Sequence, residues 1–142
     1  MKKILFLVTS LILGAVLAGC QYGSNENTEN TLASISGTVA YRERIALPEQ
    51  AVVSISLQDV SLADAPAKVI ATQRIETQGK QVPFDFELAY DASKIIAQNR
   101  YSVSARIEVD GQLLFITDMY YGVITDAAHT TQVDLNLVGV RH

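Results

Sequence analysis

The sequence predicts an all-β fold, an antiparallel β-sandwich of about seven strands with one short helical segment. Three observations carry this. From Ala33 onward the chain consists of short runs rich in Val, Ile, Thr and Tyr, separated by Gly, Pro, Asp and Asn. Within most runs apolar and polar residues alternate with a period of two, which puts the apolar side chains on one face of a strand. Asp110-Gly111 lies between two such runs. A two-residue loop of this type is a strong hairpin signal, because a type I′ turn needs positive φ at both positions. Two packed antiparallel sheets would hide these apolar faces in one core.

In the first strand Ile35, Gly37, Val39 and Tyr41 alternate with Ser36, Thr38, Ala40 and Arg42, and Leu47-Pro48-Glu49-Gln50 turns the chain. Ala51 to Val60 is the second strand, with Val53, Ile55 and Leu57 inward. Asp64 and Pro66 mark a loop before the third strand, Lys68 to Glu76, with Val69, Ala71, Gln73 and Ile75 on one face and Ile70, Thr72 and Arg74 on the other. Gln81 to Tyr90 is the fourth, with Phe84, Phe86, Leu88 and Tyr90 inward and Asp85 and Glu87 toward water. Asp91 to Gln98 is the helical piece, one or two turns capped by Asp91 and docked through Ile95 and Ile96. The hairpin around Asp110-Gly111 joins Arg100–Val109 to Gln112–Asp118, and Thr131 to Val138 closes the domain with Val133, Leu135 and Leu137 on one face.

The N-terminal region has a different logic. Lys2 and Lys3 precede an apolar run from Ile4 to Val16, followed by the small residues Ala18 and Gly19 and then Cys20. That is the layout of a secretory signal peptide, and the run is shorter than the ~20 apolar residues that cross a bilayer core. Leu17-Ala18-Gly19-Cys20 resembles the lipobox of bacterial lipoproteins. The resemblance implies a diacylglyceryl group on the Cys20 thiol, cleavage before Cys20 and acylation of the new amine. Several buried acyl chains, at ~0.8 kcal/mol per CH₂, hold a protein on a membrane where one chain holds it marginally. In the resembling lipoproteins of two-membrane bacteria an Asp after the cysteine favours retention at the inner membrane, so the resemblance implies that Gln21 sends this chain to the outer membrane, with the domain facing the periplasm. Gln21 to Thr31 has no aliphatic residue, so it cannot offset its ordering entropy and reads as a tether. The expected organisation is a signal peptide over 1–19, lipidated Cys20 and tether over 20–33, and the β domain over 34–142.

Charge and residue content narrow the function. Removing Lys2 and Lys3 from the 11 basic residues leaves nine against 15 acidic ones, a net charge of −6. An acidic domain is a poor match for nucleic acid and is not drawn to anionic headgroups, so the expectation is no nucleic-acid partner and membrane contact through the acyl chains. Cys20 is the only cysteine, so a lipidated chain has neither a thiol nor a disulfide to offer. The histidines, His129 and His142, form no ligand cluster in sequence. No G-x-S-x-G or Gly-rich phosphate loop occurs. The expectation is a non-enzymatic protein with no cofactor beyond the covalent lipid, no metal and no catalytic residues.

One stretch departs from simple alternation. Leu113-Leu114-Phe115-Ile116 is apolar on both faces, and Tyr120-Tyr121 follows. In one reading the helical segment near Ile95 and Ile96 covers Leu114 and Ile116. In the other, Leu114, Ile116, Tyr120 and Tyr121 line an apolar groove for a partner, since apolar patches with aromatic rims mark interaction sites. A third use of the aromatics is a glycan-stacking face built from Tyr41, Tyr120 and Tyr121.

From Ile35 to about Ile124 the chain resembles the YbaY/YscW-type lipoprotein domain. The residues that carry this are Ser36-Gly37-Thr38-Val39, Leu47-Pro48, the run Ala51 to Ser61, Pro83-Phe84, Phe86, Tyr90-Asp91, the run Tyr101 to Ile107, and Asp110-Gly111. The family is similar to the pilotins of type III secretion. The resemblance implies a β-sandwich that binds a secretin or another envelope protein, often through a C-terminal segment of the secretin subunit, and escorts it on its own lipid. The runner-up is an envelope-maintenance lipoprotein contacting cell-wall or surface polysaccharide. Neither reading fixes an oligomeric state.

Overall fold

Period-two alternation becomes eight strands in the computed structural model, which describes residues 31–142. They are β1 (Leu32–Tyr41), β2 (Val52–Asp59), β3 (Lys68–Glu76), β4 (Phe84–Asp91), β5 (Tyr101–Val109), β6 (Gln112–Thr117), the two-residue β7 (Gly122–Val123) and β8 (Gln132–Gly139). The all-β class with one short helical piece is as the sequence predicts. That piece is a single 3-10 turn, Ala92–Lys94, capped by Asp91, whose Oδ1 accepts from the Ser93 N–H at 2.9 Å. Leu32 and Ala33, expected in the tether, already belong to β1.

The strands share one sheet, ordered β3-β2-β5-β6-β8-β1-β4, with β7 on β5. It curls until its edges, β3 and β4, run beside one another, giving a nearly closed barrel. The two layers expected of a sandwich are opposite walls of this one sheet. Every pair is antiparallel except β1 and β8, which are parallel. The hairpin between β5 and β6 has the expected backbone, with φ of 49° at Asp110 and 80° at Gly111.

The inward faces meet in a core that includes Ile35, Val39, Val53, Ile55, Leu57, Leu88, Val103, Ile107, Leu135 and Leu137, all fully buried. Burying one such side chain contributes about 1.5–3 kcal/mol. Two long connections are pinned to the core by one aliphatic residue each. Leu47, between β1 and β2, is buried, and Ile95, between β4 and β5, packs against the core. Gly37 sits where β1 meets β8 most closely. A Cβ there would lie 1.7 Å from the Val133 carbonyl oxygen, so only glycine lets the two strands approach.

Two bulges alter the alternation. Between β2 and β3, Leu57 pairs with Ala71 but Gln58 pairs with Val69, which leaves Ile70 extra. Ile70 and Ala71 both pack on the core, and Val69, on the same face as Ala71 by alternation, is turned to the outer face at 54% exposure. Between β5 and β6, Ile107 pairs with Phe115 but Glu108 pairs with Leu113, which leaves Leu114 extra.

The registers define two ends. Leu32 pairs with Asp91, and Asp59 pairs with both Lys68 and Tyr101. The chain therefore enters at the end where β1, β3 and β5 start and β2 and β4 finish. At the opposite end lie Tyr41, Val52, Glu76 and the Asp110-Gly111 turn.

Candidate partner-binding site

The second bulge separates the four residues singled out for a partner groove. Phe115 faces inward, buried, and stacks on Tyr41 with ring centroids 4.0 Å apart and planes 6° apart. Leu114, the extra residue, packs against the core. Ile116 pairs with Arg106 and lies on the outer face, in a shallow groove of about 430 Å³ floored by Ser54, Ser56 and Ser104. Neither Ile95 nor Ile96 covers it, because Ile95 sits beside Tyr90 and Ile124 and Ile96 sits beside Val69.

The tyrosines are also divided. The Tyr121 hydroxyl accepts from the Asn136 N–H at 3.0 Å and faces its carbonyl at 3.4 Å, tying the β6–β7 connection to β8. Tyr120 is 59% exposed, and its ring lies over Gly122, where a Cβ would come within 2.8 Å of it. Tyr41 is buried and donates its O–H to the Ile45 carbonyl at 2.5 Å. Burial, and then the charge of Glu43, push its pKa up. Tyr41, Tyr120 and Tyr121 therefore form no common stacking face.

The structure presents a different surface, the seam between β3 and β4. Each strand pairs on one side only, β3 with β2 and β4 with β1, so each leaves a backbone edge without a strand partner. At the entry end the seam opens into a notch of about 400 Å³ lined by Lys68, Val69, Ile70, Ser93, Lys94 and Ile96. Its walls are aliphatic and two ammonium groups stand on its rim.

The nearby carboxylates are already engaged. Asp59 accepts from the Ser61 N–H at 2.9 Å, the Ser61 O–H at 2.5 Å and the Asn99 amide at 2.8 Å. Asp91 accepts from the Ser93 N–H at 2.9 Å and its O–H at 2.6 Å. Those serine hydrogen bonds, the side-chain one first, hold both carboxyls below the usual aspartate range. Among the described residues the one ion pair is Arg106–Glu108 at 2.6 Å, away from Lys68 and Lys94.

Further along β3, Gln73 faces inward opposite Ile55, and its Oε1 is buried with no hydrogen-bond partner among the described residues. Leaving such an acceptor unmatched costs about 1–3 kcal/mol. An open strand edge and an apolar notch suit an added peptide segment, which would bond through its main chain and seat apolar side chains. No local pattern in the sequence signals this surface, because which strands are edges depends on strand order and Val69 is turned out by a bulge.

Among the described residues no group of three or more His, Cys, Asp or Glu is placed to hold a metal ion. No helix among them is long and apolar enough to cross a membrane. Loop residue His129 has its Nδ1 3.0 Å from the Ile124 carbonyl oxygen. Leu17, Ala18, Gly19 and Cys20, the residues of the expected lipidation site, lie outside the described residues.

Comparison with known proteins agrees with the fold and the resemblance. Residues 30–137 match the family described as "Type III secretion system lipoprotein chaperone (YscW)". The chain is 44% identical over 108 residues to the "Uncharacterized lipoprotein YbaY" of Escherichia coli (strain K12), a match covering 76% of this chain and 56% of that relative. It thus spans little more than half the length of that curated relative. Among solved structures it is similar to "an alternative pilotin from the type II secretion system of Vibrio cholerae", with 65% identity and a TM-score of 0.76 over 78% of this chain and 99% of that one. The chain belongs to the YscW family of type III secretion system lipoprotein chaperones.

Proposed function

We propose that this chain is a non-enzymatic, pilotin-like escort, anchored in the outer membrane through lipid on Cys20, that holds a segment of a secretin or another envelope protein at the β3–β4 seam. The observation that carries the reading is the open seam with its notch, in a member of a lipoprotein chaperone family. An escort needs a place to hold its client and a separate device to place it. The seam supplies the first and the lipid on Cys20 the second. No bond-making chemistry is required.

The test is crosslinking and affinity capture from intact envelopes with the wild type, Val69→Asp and Cys20→Ser. Val69 is exposed, so Val69→Asp should fold normally and lose the captured client. Cys20→Ser should accumulate as an uncut precursor without lipid. A Val69→Asp chain that captures the same client in the same yield would rule out the seam. Cleaved, membrane-bound Cys20→Ser would rule out the anchor.

A further inference from the structure

The exposed aliphatic side chains are not spread evenly over the barrel. Leu62 is 74% exposed, Leu32 66%, Val69 54% and Ile96 53%, and all four belong to the entry end. Leu32 is the first residue of β1, Leu62 lies in the β2–β3 connection, and Ile96 lies in the β4–β5 connection. The β2–β3 connection is weakly polar throughout, with Leu62, Ala63, Ala65, Pro66 and Ala67 all exposed and Asp64 the one charge before Lys68. The opposite end exposes Arg42, Glu43, Arg44, Glu49, Lys80 and Asp110, and among large hydrophobic residues Ile45.

The loop that carries Leu62 is held out by its base. The Val60 N–H donates to the Arg100 carbonyl at 2.9 Å, the Arg100 N–H donates to the Ser61 hydroxyl at 2.8 Å, and Asp59 grips Ser61 and Asn99. The Thr31 carbonyl, where the domain begins, accepts from Ala92 N–H in the 3-10 turn of the same end. Between Cys20 and Thr31 the chain has only ten residues. Even fully extended, ten residues reach at most about 33–36 Å, so an acyl anchor on Cys20 keeps the entry end nearer the bilayer than the opposite end.

We infer that the entry end is a membrane-docking surface that rests on the lipid headgroups, with the Leu62 loop and Leu32 entering the interfacial layer. This rests on the reading of Cys20 as the anchor. The aliphatic side chains supply the insertion, and the exposed Lys68, Lys94 and Arg100 of the same end stand where they meet headgroup phosphates. This surface adds a second contact to the acyl chains and gives the domain one orientation. The notch, lined by Val69 and Ile96 of the same end, then opens at membrane level.

The test uses the acylated full-length mature chain in vesicles of phosphatidylethanolamine and phosphatidylglycerol carrying a headgroup-level quencher. Single cysteines at Leu62→Cys, Leu32→Cys and Ile45→Cys receive a polarity-sensitive fluorophore, since acylation occupies the Cys20 thiol. Quenching should be several-fold stronger at positions 62 and 32 than at 45, and Leu62→Asp should reduce it at position 32 without changing the melting temperature. Equal quenching at all three positions would overturn the inference. So would probes that stay in water on vesicles but are shielded in native envelopes, since a protein would then cover this end. A chain that does not float with the vesicles brings down the anchor reading and this inference together. A chain that floats without the asymmetry brings down this inference alone.

Discussion

Gly37→Ala should be among the most damaging single-methyl additions in the domain. The added Cβ would lie 1.7 Å from the Val133 carbonyl oxygen and 2.7 Å from its carbon, against a floor of about 3.0 Å for real contacts. The shortfall to the oxygen is 1.3 Å, and the obstacle is main chain, so no side-chain rotation relieves it. β1 and β8 must separate where Gly37 pairs with Val133, which strains the neighbouring Ser36 N–H to Thr131 carbonyl bond at 3.0 Å. Overpacking of this kind costs about 1–3 kcal/mol, and a buried backbone group left unmatched costs about 1–3 kcal/mol more. A total of about 2–6 kcal/mol is a large part of the roughly 5–15 kcal/mol that is typical of a domain. At about 4 °C per kcal/mol for a domain near this size, the midpoint should fall by roughly 8–24 °C. Gly111→Ala is the control. Gly111 has φ of 80° but nothing within 4 Å of its would-be Cβ, so only the backbone penalty of about 1–2 kcal/mol applies. Thermal and urea unfolding followed by circular dichroism would rank the two. A Gly37→Ala protein as stable as Gly111→Ala would show that close approach to β8 is not why glycine stands there.

Three further outcomes are expected. Leu114→Asp should destabilise by about 2–4 kcal/mol, because it places a carboxylate against the core, whereas Ile116→Asp on the outer face should cost under about 1 kcal/mol; equal losses in urea titrations would contradict the bulge. Tyr101→Phe removes the hydroxyl that accepts from the Ile96 N–H at 2.9 Å, so it should cost about 1 kcal/mol and speed amide exchange at Ile96; unchanged exchange would refute that anchoring. Asp59, Asp91 and Asp126 all have folded-state pKa values below the ordinary 3.8, chiefly through hydrogen bonds from Ser61, Ser93 and Thr130. Their contribution is present above 3.8 and is lost as pH falls through the lower folded values, so acid should destabilise the wild type more steeply than a triple Asp→Asn variant in melts recorded across that range.

The strands were legible because alternation reports burial directly. Val53, Ile55 and Leu57, or Phe84, Phe86, Leu88 and Tyr90, read as inward from the sequence and are buried in the fold. The hairpin was legible because Asp110-Gly111 is one of the few pairs that tolerate two positive φ values. What alternation does not carry is which strand neighbours which. The parallel pairing of β1 with β8, the single curled sheet and the edge status of β3 and β4 all follow from long connections that have no local code. The bulges were hidden for a related reason. An extra apolar residue in a strand looks like a second apolar face, so Leu113 to Ile116 left both a covered and a groove reading open, and Leu114 packs on the core. The same effect concealed Val69, which alternation puts on one face with Ala71 and which lines the notch.

The pairing of β1 with β8 also governs when the domain comes into being. β8 lies between β6 and β1, so without it the strands fall into two separate pieces, β3-β2-β5-β6 and β1-β4. Each would have a raw edge and a half-covered apolar face. Gly37 and Val133 are far apart along the chain, and closing a loop of that size must precede any reward from the contact. A chain made from its N-terminus therefore cannot complete its sheet until its last strand is made. Until β8 is in place, neither piece has the neighbour that covers its edge and completes the core.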